Sequence, residues 1–296
     1  MHRLISFVMF LLAAQAQAQS VEVQSFAGRI QAPVLPKKIV VLDLAALDSL
    51  TALGVQPAGL TSDVYLPYLE DAADDAVAVG SLFEPDFEAI FAMAPDLIIA
   101  GGRSSEQVPE LARIAPTLDM TIWDNTVEEG LARLAAYGRI FEKQAVADSL
   151  IAQFNAKLSN VRATVSGSGR ALIVMTNGPK ISAYGAGGRF GWLHDALGLP
   201  EAVASVEKAT HGEAISFEFI REANPDILFV IDRMAAIGQD SESARATLDN
   251  VLVHETTAWK TGQVIHLSAG PIYLAGGGIQ SMTLTLDEIL AALKDR

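Results

Sequence analysis

The stretch FEAIFAMAPDLIIAGGR, from Phe87 to Arg103, is followed 130 residues later by a second stretch of the same plan, FEFIREANPDILFVIDR, from Phe217 to Arg233. Each begins with Phe-Glu and continues as a short amphipathic helical pattern. A Pro-Asp break then ends the helix, and an apolar run of strand length leads to the arginine. Six of the seventeen positions are identical. The repeat predicts a chain of two related α/β halves.

The arginines that end the two repeats are the first candidate site residues. In open α/β sheets, ligands bind outside the carboxyl ends of the strands. Arg103 and Arg233 are therefore expected to face a shared cleft from opposite sides, which is the geometry of a two-lobed anion binder. The alternative is chance recurrence, because a helix, a Pro-Asp break and a buried strand follow one another in many α/β proteins. The matched arginines weigh against that alternative.

Strand and helix patterns alternate along the rest of the chain. In the first half, apolar runs at 39–42, 97–100 and 121–123 are separated by helical patterns, which favours a parallel sheet with helices on its faces. From residue 143 to residue 165 apolar residues recur at helical spacing without a break. At 1.5 Å per residue this helix would be about 35 Å long. We predict two Rossmann-like lobes, 19–142 and 166–296, with the ligand between them. A rigid helix, 143–165, joins the lobes.

The first eighteen residues have the pattern of a secretory signal peptide. His2 and Arg3 form a short polar start, Leu4 to Ala14 an apolar core, and Ala16-Gln17-Ala18 a small-residue cleavage site. The apolar run is too short to span a bilayer. The chain contains no cysteine that could carry a lipid after the signal. We therefore expect a freely diffusing periplasmic protein that begins near Gln19.

Charge and composition exclude several classes of function. The formal net charge is −14, from 35 acidic and 21 basic residues, and removing Arg3 with the signal makes it −15. Nucleic acid is therefore not an expected partner. The absence of cysteine excludes disulfides, thiolate metal sites and a cysteine nucleophile. The sequence also shows no Gly-x-Ser-x-Gly nucleophile elbow and no histidine spacing typical of a zinc site.

Three further residues carry side chains suited to an anionic or iron-containing ligand. Arg189 lies in a glycine-rich turn, 184–191, whose glycines would let the backbone approach a ligand; the alternative is a structural turn with an exposed arginine. His211 lies in a loop before the second repeat, where most lone histidines are surface residues. Tyr273 follows the last predicted strand, where most tyrosines are simply packed. A phenolate is nevertheless a hard oxygen donor suited to ferric ion, so a histidine and a tyrosine could complete the coordination of iron that arrives already chelated.

Glu88 and Glu218 occupy the second position of each repeat, at the start of each predicted helix. Paired catalytic carboxylates must lie within about 10 Å of each other, whereas these two belong to separate lobes. We therefore do not expect this pair to catalyse a reaction. A symmetric external contact is the alternative role.

Four segments, in their order and spacing, resemble a known family: GGRFGWLHDALG (187–198), HGEAISFEFI (211–220), NPDILFVIDR (224–233) and YLAGGG (273–278). They are similar to the periplasmic substrate-binding proteins of bacterial ABC importers, in the branch that binds ferric catecholate siderophores. The resemblance covers essentially the whole mature chain. It implies a non-enzymatic, monomeric receptor with two Rossmann-like lobes and no intrinsic cofactor. Such a receptor captures ferric iron as a siderophore complex and delivers it to an inner-membrane ABC permease.

The resemblance also implies a role for each candidate ligand-binding residue. Arg103, Arg189 and Arg233 match the three arginines that surround the anionic catecholate oxygens in this branch. Guanidinium groups suit that role because they stay charged and offer a planar fork of donors. His211 and Tyr273 match the two side chains that fill the iron sites left open by a tetradentate bis-catecholate.

The resemblance assigns Glu88 and Glu218 to the lobe-tip glutamates that dock onto arginines of the permease. The chain departs from the family pattern at Ile272, where tryptophan is frequent, and at Glu213, where glutamine is frequent. Glu213 adds a negative charge beside His211.

A haem or cobalamin binder of the same fold remains an alternative, since tyrosine and histidine can also hold haem. An α/β enzyme acting on an anionic substrate is a more distant one.

Overall fold

The computed structural model describes residues 19–62, 64–206, 211–239 and 242–294. The predicted signal peptide, residues 1–18, lies outside these ranges. The described residues form a two-stranded hairpin and two five-stranded sheets, one in each half of the chain. Within these ranges, none of the helices combines the length and the apolar character needed to cross a bilayer.

The N-terminal lobe is built on a parallel sheet that follows the hairpin. Its strands are β1 (Ser20–Ser25), β2 (Gly28–Pro33), β3 (Ile39–Leu42), β4 (Gly59–Leu60), β5 (Val77–Ala78), β6 (Leu97–Ala100) and β7 (Thr117–Asp119). Its helices are α1 (Leu44–Ala52), α2 (Asp71–Asp74), α3 (Phe87–Met93), α4 (Val108–Leu111) and α5 (Thr126–Ile140), with 3-10 turns at Pro67–Leu69 and Gly102–Gln107. The strand order is β5-β4-β3-β6-β7. In β3, Ile39 and Val41 pack into one apolar cluster and Val40 and Leu42 into another, as expected for a strand covered on both faces.

One helix, α6 (Gln144–Val165), leads from the first lobe into the second. Its bounds lie within one residue of those predicted from the apolar spacing. The buried residues Ala147, Phe154, Val161 and Val165 form a single stripe along it. The helix packs against α5, where an added Cβ at Gly138 would lie 2.8 Å from the Ala147 Cβ. Because this packing leaves no space between α5 and α6, we expect the joint to be stiff.

The C-terminal lobe contains the second sheet, which is mixed. Its strands are β8 (Ala171–Asn177), β9 (Lys180–Tyr184), β10 (Glu213–Ile215), β11 (Ile227–Asp232) and β12 (Val264–His266). Its helices are α7 (Trp192–Asp195), α8 (Phe217–Ala223), α9 (Arg233–Ala236), α10 (Ala244–Leu248), α11 (Val251–His254), α12 (Thr257–Lys260), α13 (Ala269–Leu274) and α14 (Ile279–Lys294). The strand order is β10-β9-β8-β11-β12.

Two strands of this second sheet differ from the predicted parallel arrangement. β8, β11 and β12 are parallel, but β9 and β10 run antiparallel to their neighbours. The physical reason is the loop between β8 and β9. It contains only Gly178, at φ +58°, and Pro179, and a two-residue loop can join only antiparallel neighbours.

The two sequence repeats form the same structural unit in each lobe. In both, a seven-residue helix (α3, α8) is followed by a strand (β6, β11) that pairs in parallel with the first sheet strand of its lobe (β3, β8). The aspartate of the Pro-Asp pair, which both repeats contain, makes the same kind of contact in each lobe. The Asp96 carboxylate accepts hydrogen bonds of 2.9 Å from the backbone N–H groups of Lys37 and Lys38, and that of Asp226 accepts one of 2.8 Å from Arg170. Each aspartate thus ties its strand to the start of the neighbouring one.

The strand predicted at 121–123 lies earlier in the chain, in β7. Thr117, Leu118 and Asp119 pair with β6 instead. Thr121 is occupied by a local interaction, because its backbone N–H and its hydroxyl both donate to the Asp119 carboxylate, at 3.1 and 2.6 Å. The shift matters for the site, since it places Asp119 at the carboxyl end of the sheet.

The last helix, α14, packs back against α1 and α6. The link is the fully buried Asp48 of α1, whose carboxylate accepts hydrogen bonds from the backbone N–H groups of Gln280 (2.7 Å) and Ser281 (2.8 Å) and from the Tyr68 hydroxyl (2.8 Å). Gly278 permits this approach, since an added Cβ there would lie 2.5 Å from the Asp48 Cγ. The C-terminal end of the chain is therefore anchored on the N-terminal lobe.

We expect this anchor to make stability depend on pH. Burial raises the pKa of Asp48 to about 7, although its three hydrogen bonds oppose the shift. Between the unfolded value near 3.8 and about 7, the folded state holds a proton that the unfolded state lacks. The contribution of Asp48 therefore weakens as pH rises through this window, by up to a few kcal/mol. Urea denaturation at pH 5 and pH 8 should show a larger loss for the wild type than for Asp48→Asn. Equal losses in the two proteins would contradict the assignment.

Candidate ligand-binding site

Arg103 is positioned by the turn that follows β6. Gly101 donates its backbone N–H to the Ser104 hydroxyl at 3.0 Å, and that hydroxyl donates to the Leu42 carbonyl at the end of β3, at 2.8 Å. Ser104 is fully buried, so these bonds are shielded from water. The turn is thereby fixed across two adjacent strands, and Arg103 leaves the carboxyl edge of the sheet in a defined direction.

Arg189 is carried by the glycine-rich loop between β9 and α7. Glu201 holds the start of the loop, because its carboxylate accepts the backbone N–H of Ala186 at 2.7 Å. The loop is wound so tightly that an added Cβ at Gly191 would lie 2.5 Å from the Gly187 nitrogen. The guanidinium of Arg189 lies over the Phe190 ring, 5.4 Å from its centre. The glycines therefore serve a compact turn that presents one arginine.

Arg233 is the first residue of α9, directly after β11. Asp232 caps this helix through its carboxylate, which accepts the backbone N–H groups of Met234 and Ala235, both at 3.1 Å. The Arg233 side chain donates to the Asn177 side-chain oxygen at the end of β8, at 3.2 Å. Two neighbouring strand ends thus orient this guanidinium.

All three arginines meet at Tyr273, in α13. Arg103 and Arg189 donate to the Tyr273 carbonyl at 3.1 and 2.6 Å, and Arg233 donates through Nε to its hydroxyl at 3.1 Å. The three Cζ atoms lie 5.3, 4.1 and 5.9 Å from the centre of the Tyr273 ring. Arg103 comes from the N-terminal lobe and the other groups from the C-terminal lobe. The cluster therefore lies between the lobes, where the repeat predicted a shared cleft.

The electrostatics of the cluster are those of a site for negative charge. Partial burial alone would raise the pKa of the Tyr273 phenol. The charges of the three arginines and the hydrogen bond from Arg233 outweigh it, so the pKa lies below its usual value. Burial and the neighbouring charge of Arg103 lower the pKa of Arg189. Both pKa shifts reflect the positive charge concentrated in the cluster. An added anion would relieve the mutual repulsion of the guanidinium groups.

His211 is joined to Tyr184, a residue that interacts electrostatically with Arg189 and Arg233 of this cluster. His211 is exposed and lies two residues before the short strand β10. Its backbone carbonyl accepts a hydrogen bond of 3.0 Å from Tyr184, a buried residue at the end of β9. Burial, only partly offset by Arg189, raises the pKa of the Tyr184 hydroxyl to about 12. Within the described ranges, no three His, Cys, Asp or Glu side chains are grouped as a metal site.

Sequence reasoning missed four residues that support the site. Asn177, Tyr184 and Glu201 are described above, and the fourth is Asp43, which follows β3. Burial raises the pKa of the Asp43 carboxyl, an effect that the charge of Arg103 partly opposes. Asn177, Tyr184 and Asp43 share one signal, a polar side chain at or directly after the carboxyl end of a strand. Glu201 gave no such signal, because its contact with the glycine loop arises only from the tertiary fold.

Glu88 and Glu218 are both exposed and occupy the first turns of α3 and α8. A hydrogen bond with the Ser216 side chain lowers the pKa of Glu218. Phe87, Glu88 and Phe91 border a shallow depression with Glu110 and Arg113. The Phe91 side chain is 71% exposed. The two glutamates thus occupy equivalent surface positions on the two lobes.

Comparison with known proteins gives a consistent result. Residues 39–270 match the model of the family described as periplasmic binding protein. The petrobactin-binding protein YclQ of Bacillus subtilis (strain 168) is 39% identical over 267 residues, which cover 88% of this chain and 84% of YclQ. The ferric-anguibactin-binding protein FatB of Vibrio anguillarum (strain ATCC 68554 / 775) is 34% identical over 263 residues, 86% of this chain and 82% of FatB.

Solved structures agree with the sequence matches. The crystal structure of the periplasmic catecholate-siderophore binding protein VctP from Vibrio cholerae has a TM-score of 0.88 and 30% sequence identity, and covers 92% of this chain and 100% of VctP. The YclQ crystal structure also has a TM-score of 0.88, with 36% identity over 94% of this chain and 100% of YclQ. These relatives are substrate-binding proteins and not enzymes, and the chain belongs to the periplasmic binding protein family.

Proposed function

We propose that the protein binds a ferric catecholate siderophore between its lobes. The observation that carries the proposal is the meeting of Arg103, Arg189 and Arg233 at Tyr273. A guanidinium has five N–H donors, and Tyr273 takes one from each arginine, so donors remain for the oxygens of a ligand. Ferric catecholates carry several negative charges at the coordinating oxygens. Three fixed cations therefore match a ferric catecholate better than they match a haem, which carries only two carboxylates.

Tyr273 and His211 are proposed as protein ligands of the iron. The arginines favour the ionised phenol of Tyr273, and a phenolate oxygen is a strong donor to ferric ion. His211 lies on an exposed turn whose backbone is joined to Tyr184, a neighbour of Arg189, so its imidazole is free to bind a ligand held by the arginines. A siderophore that leaves two iron sites open would be completed by these two side chains. The protein has no iron of its own in this scheme, since the metal enters with the ligand.

The proposed route ends at a membrane transporter. The chain would act in the periplasm as a monomer after removal of residues 1–18, without a lipid anchor and without a nucleic-acid partner. Glu88 and Glu218 would dock the loaded protein onto an inner-membrane ABC permease. Their support is the equivalent placement of the two exposed carboxylates on the two lobes.

Iron ligation by Tyr273 can be tested by visible spectroscopy. We expect the charge-transfer band of a ferric bis-catecholate to shift when it binds the wild-type protein, and to shift differently with Tyr273→Phe, because a phenolate donor to iron is lost. Affinity should fall about tenfold or more. His211→Ala should give a smaller change of the same kind.

One substitution serves as a control for this experiment. His254→Ala removes a histidine of the C-terminal lobe that is paired with Asp249. This variant should leave the spectrum unchanged. If Tyr273→Phe and His211→Ala both bind the complex with unchanged spectrum and affinity, neither side chain ligates iron.

A further inference from the structure

The hydroxyl of Tyr184 joins the turn of His211 to the body of the C-terminal lobe. Tyr184 is the last residue of β9 and is buried, and its hydroxyl donates to the His211 backbone carbonyl at 3.0 Å. The Met175 sulfur lies 3.9 Å from the same hydroxyl, but a thioether is a weak acceptor. The proton of Tyr184 is therefore directed to the carbonyl of His211.

His211 lies just outside the hydrogen-bonded ladder of its hairpin. The ladder between β9 and β10 begins at the pair of Ala183 and Glu213, two residues after His211. Gly212 connects the two in a left-handed conformation, with φ +71°. An added Cβ at Gly212 would lie 2.8 Å from the Tyr184 Cζ and 2.7 Å from the Ala183 carbonyl oxygen. The backbone before the ladder thus packs directly against the tyrosine ring, which sets the position of His211.

The same tyrosine ring also contacts the loop that presents Arg189. The rings of Tyr184 and Phe190 meet edge to face, with 4.7 Å between their centres and 66° between their planes. The guanidinium of Arg189 lies over the Phe190 ring, 5.4 Å from its centre. Tyr184 therefore fixes His211 in relation to an arginine of the cluster.

Tyr184 can donate this hydrogen bond only while it keeps its proton. Burial raises the pKa of its hydroxyl to about 12; Arg189 partly opposes this shift, and a negative charge on Tyr273 adds to it. For Tyr273 burial acts in the same direction, but the arginines outweigh it and the pKa is lowered. Tyr273 is thus the tyrosine that ionises, and its negative charge favours the protonated hydroxyl of Tyr184.

We propose that Tyr184 is a positioning residue for the iron: by holding the His211 carbonyl, it keeps the imidazole where it can bind a ferric ion seated at the arginine cluster. This inference rests on the proposed function, because it assumes that His211 is a ligand of the iron. Three catecholates fill the octahedral coordination of ferric ion and leave no site for His211, whereas two catecholates leave a pair of sites open. Tyr184 should therefore matter for a bis-catecholate and not for a tris-catecholate.

The test measures the binding of two ferric complexes to the wild-type protein and to Tyr184→Phe. One ligand is a synthetic bis-catecholate and the other a synthetic tris-catecholate, both with uncharged linkers. Tyr184→Phe keeps the ring, but the His211 carbonyl loses its donor. We expect affinity for the bis-catecholate to fall about fivefold, which corresponds to one ordinary hydrogen bond, and affinity for the tris-catecholate to stay within about twofold. The visible band of the bound bis-catecholate should move towards the band obtained with His211→Ala.

A double-mutant cycle shows whether Tyr184 acts through His211. In the His211→Ala background, Tyr184→Phe should cause no further loss of affinity for the bis-catecholate, because the group that it positions is gone. The matched control is Tyr68→Phe, which removes a hydroxyl that donates to the buried Asp48 of the N-terminal lobe, at 2.8 Å. This control should bind both complexes as the wild type does. Binding of the tris-catecholate also shows that each variant is folded.

The outcomes separate this inference from the proposed function. An equal loss for the two complexes in Tyr184→Phe would make Tyr184 a purely structural residue and overturn the inference, as would unchanged affinity for both. An undiminished effect of Tyr184→Phe in the His211→Ala background would overturn it too. If His211→Ala itself changes neither the affinity nor the spectrum of the bis-catecholate, His211 does not bind iron and the inference falls, while the arginine site stands. A wild-type protein that binds neither complex would show that the proposed function is wrong.

Discussion

Alanine at Arg189 or Arg233 is expected to weaken binding of a ferric bis-catecholate by roughly ten- to a hundredfold. Each substitution removes a partly buried, charge-assisted contact, which is worth on the order of 1.5 to 3 kcal/mol. Arg103→Ala should have a similar effect, since all three guanidinium groups meet at the same tyrosine. Titration of the purified protein with the coloured complex measures these affinities directly.

The variants need a control for the loss of positive charge. Arg113→Ala removes an exposed arginine of the N-terminal lobe that is paired with Glu110 on the surface, and this variant should bind as the wild type does. Double variants within the cluster should not be additive, because neighbouring charges share one ligand. If alanine at any two of the three arginines leaves binding intact, the ligand does not occupy the cluster.

The second large effect is expected in the growth of cells and not in the ligand affinity of the purified protein. Replacing Glu88 and Glu218 together by alanine should abolish growth that depends on siderophore iron, while the purified protein keeps nearly wild-type affinity for the complex. Both carboxylates are exposed at equivalent places on lobes joined by α6. A permease with two matching cationic pockets would therefore contact both at once.

Neighbouring glutamates provide the matched control for this prediction. Glu84 and Glu222 are also exposed, one close to each docking candidate, and their double alanine variant changes the net charge equally. That variant should support growth. Normal growth of Glu88→Ala/Glu218→Ala, or a loss of ligand binding by that purified protein, would show that the two glutamates have another role.

The arginine cluster is held together by one residue before any ligand enters. Three guanidinium groups repel one another, and the neighbouring charge of Arg103 contributes to the lowered pKa of Arg189. Tyr273 offsets part of this repulsion with its carbonyl, its hydroxyl and the face of its ring. A highly anionic ligand would offset the remainder. We infer that the cluster is arranged in advance for such a ligand, which reduces the cost of ordering the side chains on binding.

Much of this architecture follows from local sequence patterns. β6 has the bounds predicted for the strand at 97–100, and both repeats show the predicted order of helix, Pro-Asp break and strand, because capping residues, the break and buried apolar runs act over a few residues. The position of Arg103 and Arg233 at strand ends follows from the same patterns. So does the long α6 helix, whose apolar stripe is continuous. The two-lobed plan was therefore determined by the sequence itself.

The tertiary structure decided what these local patterns leave open. The pairing of β10 with β9 and the anchoring of α14 on Asp48 both depend on contacts between distant segments. The clearest case is Tyr273, which lies 170 residues from Arg103 and 84 from Arg189. No periodicity in the chain encodes that meeting. The fold of the C-terminal lobe brings Arg189, Arg233 and the phenol together, and contact between the two lobes adds Arg103.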